Sequence, residues 1–144
     1  MDTKTKLGIE VRTYVTSMRY MNLGSTYDAI IVRQAINYLM HYEGLVDGLK
    51  AMHAHLTNSG RLVFNAPNFN GDDEYGDKSL EYEQGDYNVK VKEMNVIDGR
   101  VITHTQHCVL TRKDGSEIRK VYDLNRFGLF TKDEFERALH EAGF

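Results

Sequence analysis

The stretch from residue 27 to residue 68 most constrains what this chain can fold into. Two apolar runs, Tyr27-Asp-Ala-Ile-Ile-Val-Arg33 and Arg61-Leu-Val-Phe-Asn-Ala66, flank a segment with helical periodicity. Apolar runs without alternation are what parallel strands covered on both faces show. The stretch therefore reads as a strand over 28–33, a connector over 34–41, a helix over 42–56 and a second strand from 61. Leu45, Leu49, Met52 and Leu56 form one apolar stripe along that helix. Gly44 and Gly48 weaken its first turns by up to about 1 kcal/mol each relative to Ala, and they allow close packing. His53 and His55 fall in the last turn, where cationic forms would suit the helix dipole. Asn58-Ser59-Gly60 is the stop signal, with Gly60 suited to a left-handed cap.

Around this unit the pattern changes. Ile9-Glu-Val-Arg-Thr-Tyr-Val15 alternates apolar and polar residues and is expected to be a strand. Residues 16–26 are polar, with Gly24-Ser25 as a turn signal. Pro67 ends the second strand of the unit. Residues 68–86 are Gly-rich and acidic (Asp72, Asp73, Glu74, Asp77, Glu81, Glu83 and Asp86 against Lys78), a loop with a helical turn near Leu80. Over 87–127 apolar residues recur with period two, interrupted by Asp98-Gly99 and Asp114-Gly115. Each pair signals a two-residue type I′ hairpin, in which both central residues need positive φ. The expectation is a three-stranded antiparallel meander with Glu93 opposite His104, His104 opposite Asn125 and Gln106 opposite Asp123. Tyr87, Val89, Val91, Cys108, Leu110 and Val121 continue the same face as an apolar surface. Thr131-Lys-Asp-Glu134 matches a capping box, with Phe130 and Phe135 as its staple, so a helix runs over 131–142 and Gly143 caps it.

Composition narrows the function classes. With 144 residues one domain is expected over 1–144, and a net charge of −3 argues against a nucleic-acid footprint or a membrane-surface role. No apolar run approaches the roughly 18 residues that span a bilayer. The first residues lack the apolar core of a signal peptide, so a cytoplasmic location is expected. Cys108 is the only cysteine, which excludes an intrachain disulfide and a thiolate zinc cluster; it reads as a small core residue. His53 and His55 point to different helix faces, and His104 and His107 to opposite strand faces, so no metal site is expected.

Taken together, the 27–39 strand and connector, the Leu45…Leu49…Met52…Leu56 helix and the Asn58-Ser-Gly-Arg-Leu-Val-Phe-Asn65 run resemble the fourth strand, following helix and fifth strand of class I S-adenosylmethionine-dependent methyltransferases. Phe130-Thr-Lys-Asp-Glu-Phe…Ala-Gly-Phe144 looks like the late helix of that family. The 87–127 meander is similar to the antiparallel insert of sugar N-methyltransferases and related small-molecule enzymes, where such a sheet covers the acceptor site and can pair subunits. The resemblance implies an α/β fold: a partial Rossmann-like methyltransferase sheet with an inserted three-stranded antiparallel meander and a C-terminal helix. It departs from the family where the Gly-rich turn after the first strand and the acidic residue ending the second strand are absent, as is the final strand pair. If 9–15 is the third strand, the adenine-contacting acidic position falls at Ser17, beside Met18. The family's third and fourth strands are separated by the first and second. A gap two strands wide therefore follows unless the chain is a fragment, a partner chain fills the gap, or 9–15 pairs elsewhere.

The resemblance also implies roles. S-adenosylmethionine is the cofactor, with Ser17, Met18, Arg33 and Gln34 on its side of the site. Asn37 and Tyr38 fall on the side of a small-molecule acceptor, with Asn65 and Asn68 at the same end of the next strand; Glu93 and Asn125 join the acceptor-side candidates through the hairpin register rather than the resemblance. Tyr38 and His104 are the catalytic candidates. Independently of resemblance, Arg33, Gln34, Asn37 and Tyr38 follow the carboxyl end of a parallel strand, where ligands of open α/β sheets bind. A carboxylate beside His104 would orient the ring and suit it to general-base work. The alternative is a solvated sheet end, in which cross-strand polar pairs contribute only about 0.2–1 kcal/mol. Two function classes follow: a methyltransferase acting on N or O of a small molecule through its acceptor side, or an inactive methyltransferase fragment serving as a binding or dimerisation module. A homodimer, or a partner chain filling the missing strands, is expected under either.

Overall fold

The computed structural model describes residues 3–4, 8, 10–66 and 75–144. Its centre is the strand–helix–strand unit. β3 (Tyr27–Val32) and β4 (Leu56–Phe64) are parallel neighbours, with Ala29 opposite Arg61 and Val32 opposite Phe64. α1 (Tyr42–Ala54) connects them, after a short 3₁₀ turn at Ile36–Tyr38. The expected stripe is buried: Leu45, Leu49 and Met52 pack with Val32, Ile36, Phe130, Phe135 and Ala138. Fully burying one such Leu, Val or Phe side chain contributes about 1.5–3 kcal/mol. A Cβ on Gly48 would lie 2.6 Å from Leu39 Cδ1, so glycine lets Leu39 settle onto the helix.

The helix ends before the expected stop signal. α1 closes at Ala54 and β4 opens at Leu56, so Asn58-Ser59-Gly60 lies inside β4 and Gly60 is not left-handed. The His55 ring explains this. Its Nδ1–H donates to the Ala51 carbonyl (2.7 Å) and its Nε2 accepts the Leu23 N–H (2.9 Å). Those two bonds need the neutral ring, not the cationic form expected at a helix end. Residues 57–60 stand against the single residue Asp28, a register slip of three, with Tyr27 pairing with Leu56 but Ala29 with Arg61.

Two expectations about the sheet are corrected. β3 and β4 are covered on one face only: Val32 is buried, whereas Ile31 is 76% and Val63 57% exposed. The strand expected over 9–15 reduces to β2 (Glu10–Val11), paired antiparallel to β1 (Thr3–Lys4). Ile9 lies outside the described residues. An alternating strand needs a surface against which to bury its apolar side, and Tyr14 and Val15 are exposed.

The antiparallel sheet has four strands, not three: β5 (Lys78–Gln84), β6 (Tyr87–Asp98), β7 (Val101–Arg112) and β8 (Glu117–Gly128), in that order. Leu80 sits in β5 rather than in a helical turn. Pro67, Asn68, Asp72, Asp73 and Glu74 lie outside the described residues. Gln84 pairs with Tyr87 across Gly85-Asp86, and Gly85 has φ 61°. The next turn uses Gly99-Arg100 rather than Asp98-Gly99, because Asp98 itself pairs with Val101. Positive φ occurs only at Gly99 (58°), the first loop residue, which is the type II′ pattern. In the third turn Arg112 N–H donates to Ser116 O, Gly115 N–H donates to Arg112 O, and Gly115 takes φ 87°, a three-residue loop with a glycine bulge. A one-residue slip between Leu110 and Thr111 then leaves His104 opposite Asn125 as expected.

β8 passes directly into α2 (Lys132–Ala142). The Thr131 hydroxyl accepts the Glu134 N–H (3.2 Å) and the Glu134 carboxylate accepts the Thr131 N–H (2.8 Å). The Phe130 and Phe135 rings meet edge-on at 5.5 Å, and Gly143 closes the helix at φ 98°.

Candidate functional site

One end of the antiparallel sheet is fastened over the carboxyl ends of β3 and β4. Asn37, 6% exposed, donates from Nδ2 to the Gly128 carbonyl at 2.7 Å. Arg100, beside the β6–β7 turn, pairs with Glu134 in the first turn of α2 at 3.1 Å. Between these fastenings lies a cleft of about 690 Å³. Gln34, Asn37, Tyr38 and Asn65 line it from the strand ends. Lys78, Glu93, Asn95, His104 and Phe127 line it from the sheet, and Tyr75 and Gly76 from the segment before β5.

The strand-end side is rigidly set. Gln34 is the only non-glycine residue with positive φ (52°) among the described residues. Such a conformation costs on the order of 1 kcal/mol or more and persists where the surroundings enforce it. Here Asn65 enforces it, its Oδ1 accepting the Gln34 N–H at 2.8 Å. Tyr38 is anchored twice. Its hydroxyl donates to Asn125 Oδ1 (3.2 Å), and its ring meets Phe127 edge-on at 4.9 Å. Asn125 in turn donates to Asp123 Oδ2 at 2.7 Å. The Tyr38 proton is thus committed to an amide oxygen, which leaves the phenol oxygen only as an acceptor.

The sheet side presents two polar rows. Asn95, His104 and Asn125 face one another across β6, β7 and β8; Lys78, Glu93, Gln106 and Asp123 follow across all four strands. The expected Glu93–His104 pair is therefore corrected. Glu93 accepts from Gln106 Nε2 at 3.0 Å, while His104 Nδ1 meets Asn95 Oδ1 at 2.8 Å. Moving the turn by one residue shifts the register by two, which changes partners but keeps every side chain on its face. Asn95 was missed for this reason alone, since it shares the face of Glu93 at period two. Lys78 and Tyr75 were missed because β5 was not expected.

Of the expected site residues, Gln34, Asn37, Tyr38, Asn65, Glu93 and His104 converge on the cleft. Asn125 supports Tyr38 without lining it. Arg33 is exposed just beyond β3 and does not line the cleft. Ser17 and Met18 are not at the end of a strand. The Ser17 carbonyl accepts the Tyr20 N–H in a turn, and Met18 packs against the core cluster.

A sheet clamped over the ends of parallel strands, with a helix pair behind, is a class I methyltransferase-like arrangement, and known structures share it. The sugar N-methyltransferase KedS8 from Streptoalloteichus sp ATCC 53650 superposes with a TM-score of 0.75 at 24% identity, over 89% of this chain and 52% of that one. CalS10, an S-adenosylmethionine-bound amino pentose methyltransferase of calicheamicin biosynthesis from Micromonospora echinaspora, gives 0.75 at 25% identity, over 89% and 54%. An S-adenosylmethionine-dependent methyltransferase from Clostridium acetobutylicum ATCC 824 gives 0.79 at 16% identity, over 94% and 55%. No protein-family model matches the sequence, and no curated protein matches it. The chain has a class I S-adenosylmethionine-dependent methyltransferase-like fold and spans about half the length of these structures.

The residues present fit that cofactor only in part. Gln34, polar and just beyond the carboxyl end of β3, suits its amino-acid end, whereas Arg33 lies outside the cleft. Glu93 is the only carboxylate lining the cleft among the described residues, and Gln106 engages it. Among the described residues no second carboxylate lines the cleft to take the ribose hydroxyls.

Proposed function

We propose that this chain is the acceptor-side portion of an S-adenosylmethionine-dependent methyltransferase that methylates N or O of a small molecule. The observation that carries this reading is the cleft itself, where the Asn95–His104–Asn125 row stands over the strand ends bearing Gln34 and Asn65. Binding in such a cleft lowers the barrier chiefly by holding reactants in line. When bound, the cofactor supplies an electrophilic methyl carbon, and Gln34 is the residue at the end of β3 that would meet it. The acceptor lies against Asn37, Asn65, Glu93 and the Tyr38 oxygen. Glu93 favours a cationic or hydrogen-bond-donating acceptor, and His104 takes the proton that its nitrogen or oxygen gives up. Isothermal calorimetry with S-adenosylhomocysteine tests the reading. Saturable heat that weakens in Gln34→Ala supports it, and no heat at millimolar ligand removes activity from this chain alone.

A second reading is favoured by a different observation. Beyond the polar rows the same face is apolar and open: Leu80, Val91, Cys108 and Val121 stand opposite one another across the four strands, with Leu80 58% exposed. In this reading the chain is an inactive binding or dimerisation module that pairs through this face, or that receives a partner chain on the uncovered side of β3 and β4. Light scattering that finds a strict monomer at all concentrations sinks the pairing.

A further inference from the structure

Asn95 stands at the meeting of three elements. Its Nδ2–H₂ donates to the Gly76 carbonyl at 3.2 Å, its backbone N–H donates to Asp77 Oδ1 at 3.3 Å, and its Oδ1 meets His104 Nδ1 at 2.8 Å. The first of these fixes the rest. A backbone carbonyl only accepts, so the amide nitrogen of Asn95 must face Gly76 and the amide oxygen must face His104. An amide oxygen also only accepts, so His104 must carry its proton on Nδ1. Nε2 is then left with its lone pair, and it makes no hydrogen bond among the described residues. A free histidine carries no such constraint, and its two neutral tautomers exchange.

We propose that Asn95 is a positioning residue that locks His104 as the Nδ1–H tautomer, with the Gly76 carbonyl setting the orientation of the Asn95 amide. The inference rests on the reading of His104 as the base of the cleft, and it deepens that reading by naming which nitrogen acts. Nε2 is the basic atom, and a proton taken there makes an imidazolium whose Nδ1–H still donates to Asn95. The ring does not have to turn during proton transfer. The segment Tyr75–Asp77 thereby becomes part of the site: its docking on the end of β6 keeps the base in its working form.

The protein contains its own reference. His55 Nδ1 lies 2.7 Å from the Ala51 carbonyl, and its Nε2 accepts the Leu23 N–H, so His55 is an obligatory Nδ1–H tautomer. Long-range ¹H–¹⁵N correlation spectra of the uniformly labelled full chain, recorded where the histidines are neutral, distinguish the two tautomers residue by residue. His104 is expected to show the same pattern as His55 in the wild-type chain. Asn95→Ala is expected to lose that pattern at His104 and leave His55 unchanged. Asn95→Asp, which keeps an acceptor, is expected to retain it. A wild-type His104 protonated on Nε2, or a His104 spectrum indifferent to Asn95→Ala, overturns the proposal. The wild-type spectrum decides the matter by itself if Asn95→Ala does not fold. Because no readout depends on methyl transfer, a correct tautomer in a chain that binds no S-adenosylhomocysteine separates failure of the enzymatic reading from failure of this one.

Discussion

Gly128 is where the two parts of the structure meet most closely. Its carbonyl holds Asn37, and a Cβ placed on it would lie 2.8 Å from the Met40 carbonyl and 2.7 Å from the Phe130 ring. Phe130 has some freedom to turn, but the Met40 carbonyl is backbone and must move with the connector. Gly128 does not have positive φ, so the cost of a side chain here is steric and not conformational. Gly128→Ala is expected to destabilise the fold by about 1–3 kcal/mol, the range for overpacking a closed site. Urea unfolding measures this as a lower midpoint with the slope unchanged. A Gly128→Ala chain as stable as the parent would mean that the sheet and the helical core are not fastened at this point. His104 teaches a related lesson at the same scale. Its candidacy was legible in the sequence from its face and position, whereas its partner was not, because partner identity depends on which two residues make one turn.

At the scale of elements, α2 is the best specified by local sequence. Its box, staple and left-handed glycine all appear as expected. Thr131→Ala removes the acceptor for the Glu134 N–H and is expected to cost about 1 kcal/mol, a melting shift of roughly 3 °C for a chain of this size. Thr131→Ser should restore most of it. Differential scanning calorimetry of the two variants side by side checks both. The order strand, helix, strand of β3–α1–β4 was legible too, since apolar runs and a helical stripe are strong signals, but its inner boundary and its one-sided cover were not. What failed did so for physical reasons. β5 has alternating Leu80 and Tyr82 and a Gly85-Asp86 turn, yet its charges read as an acidic loop. The 58–60 stop signal lost to a histidine ring that caps the helix through side-chain bonds, an arrangement that spacing does not encode. The 9–15 alternation is genuine, but strand formation depends on a surface elsewhere in the fold.

For the molecule as a whole, the sheet face is divided: polar rows close one end over the cleft, and the Leu80–Val91–Cys108–Val121 row is left open at the other. If that row pairs two copies, Leu80→Lys is expected to shift the weight-average mass in light scattering toward the monomer. No shift in a chain that self-associates would place the contact elsewhere. The placement of α2 bears on how the chain is made. Phe135, Ala138 and Ala142, which cover α1, are synthesised after all four strands β5 to β8. At ordinary synthesis rates α1 waits on the order of ten seconds for its cover. During that interval the hairpins of β5 to β8, whose pairings are all between sequence neighbours, can form first. The apolar stripe of a half-made chain is therefore the surface that a chaperone would meet.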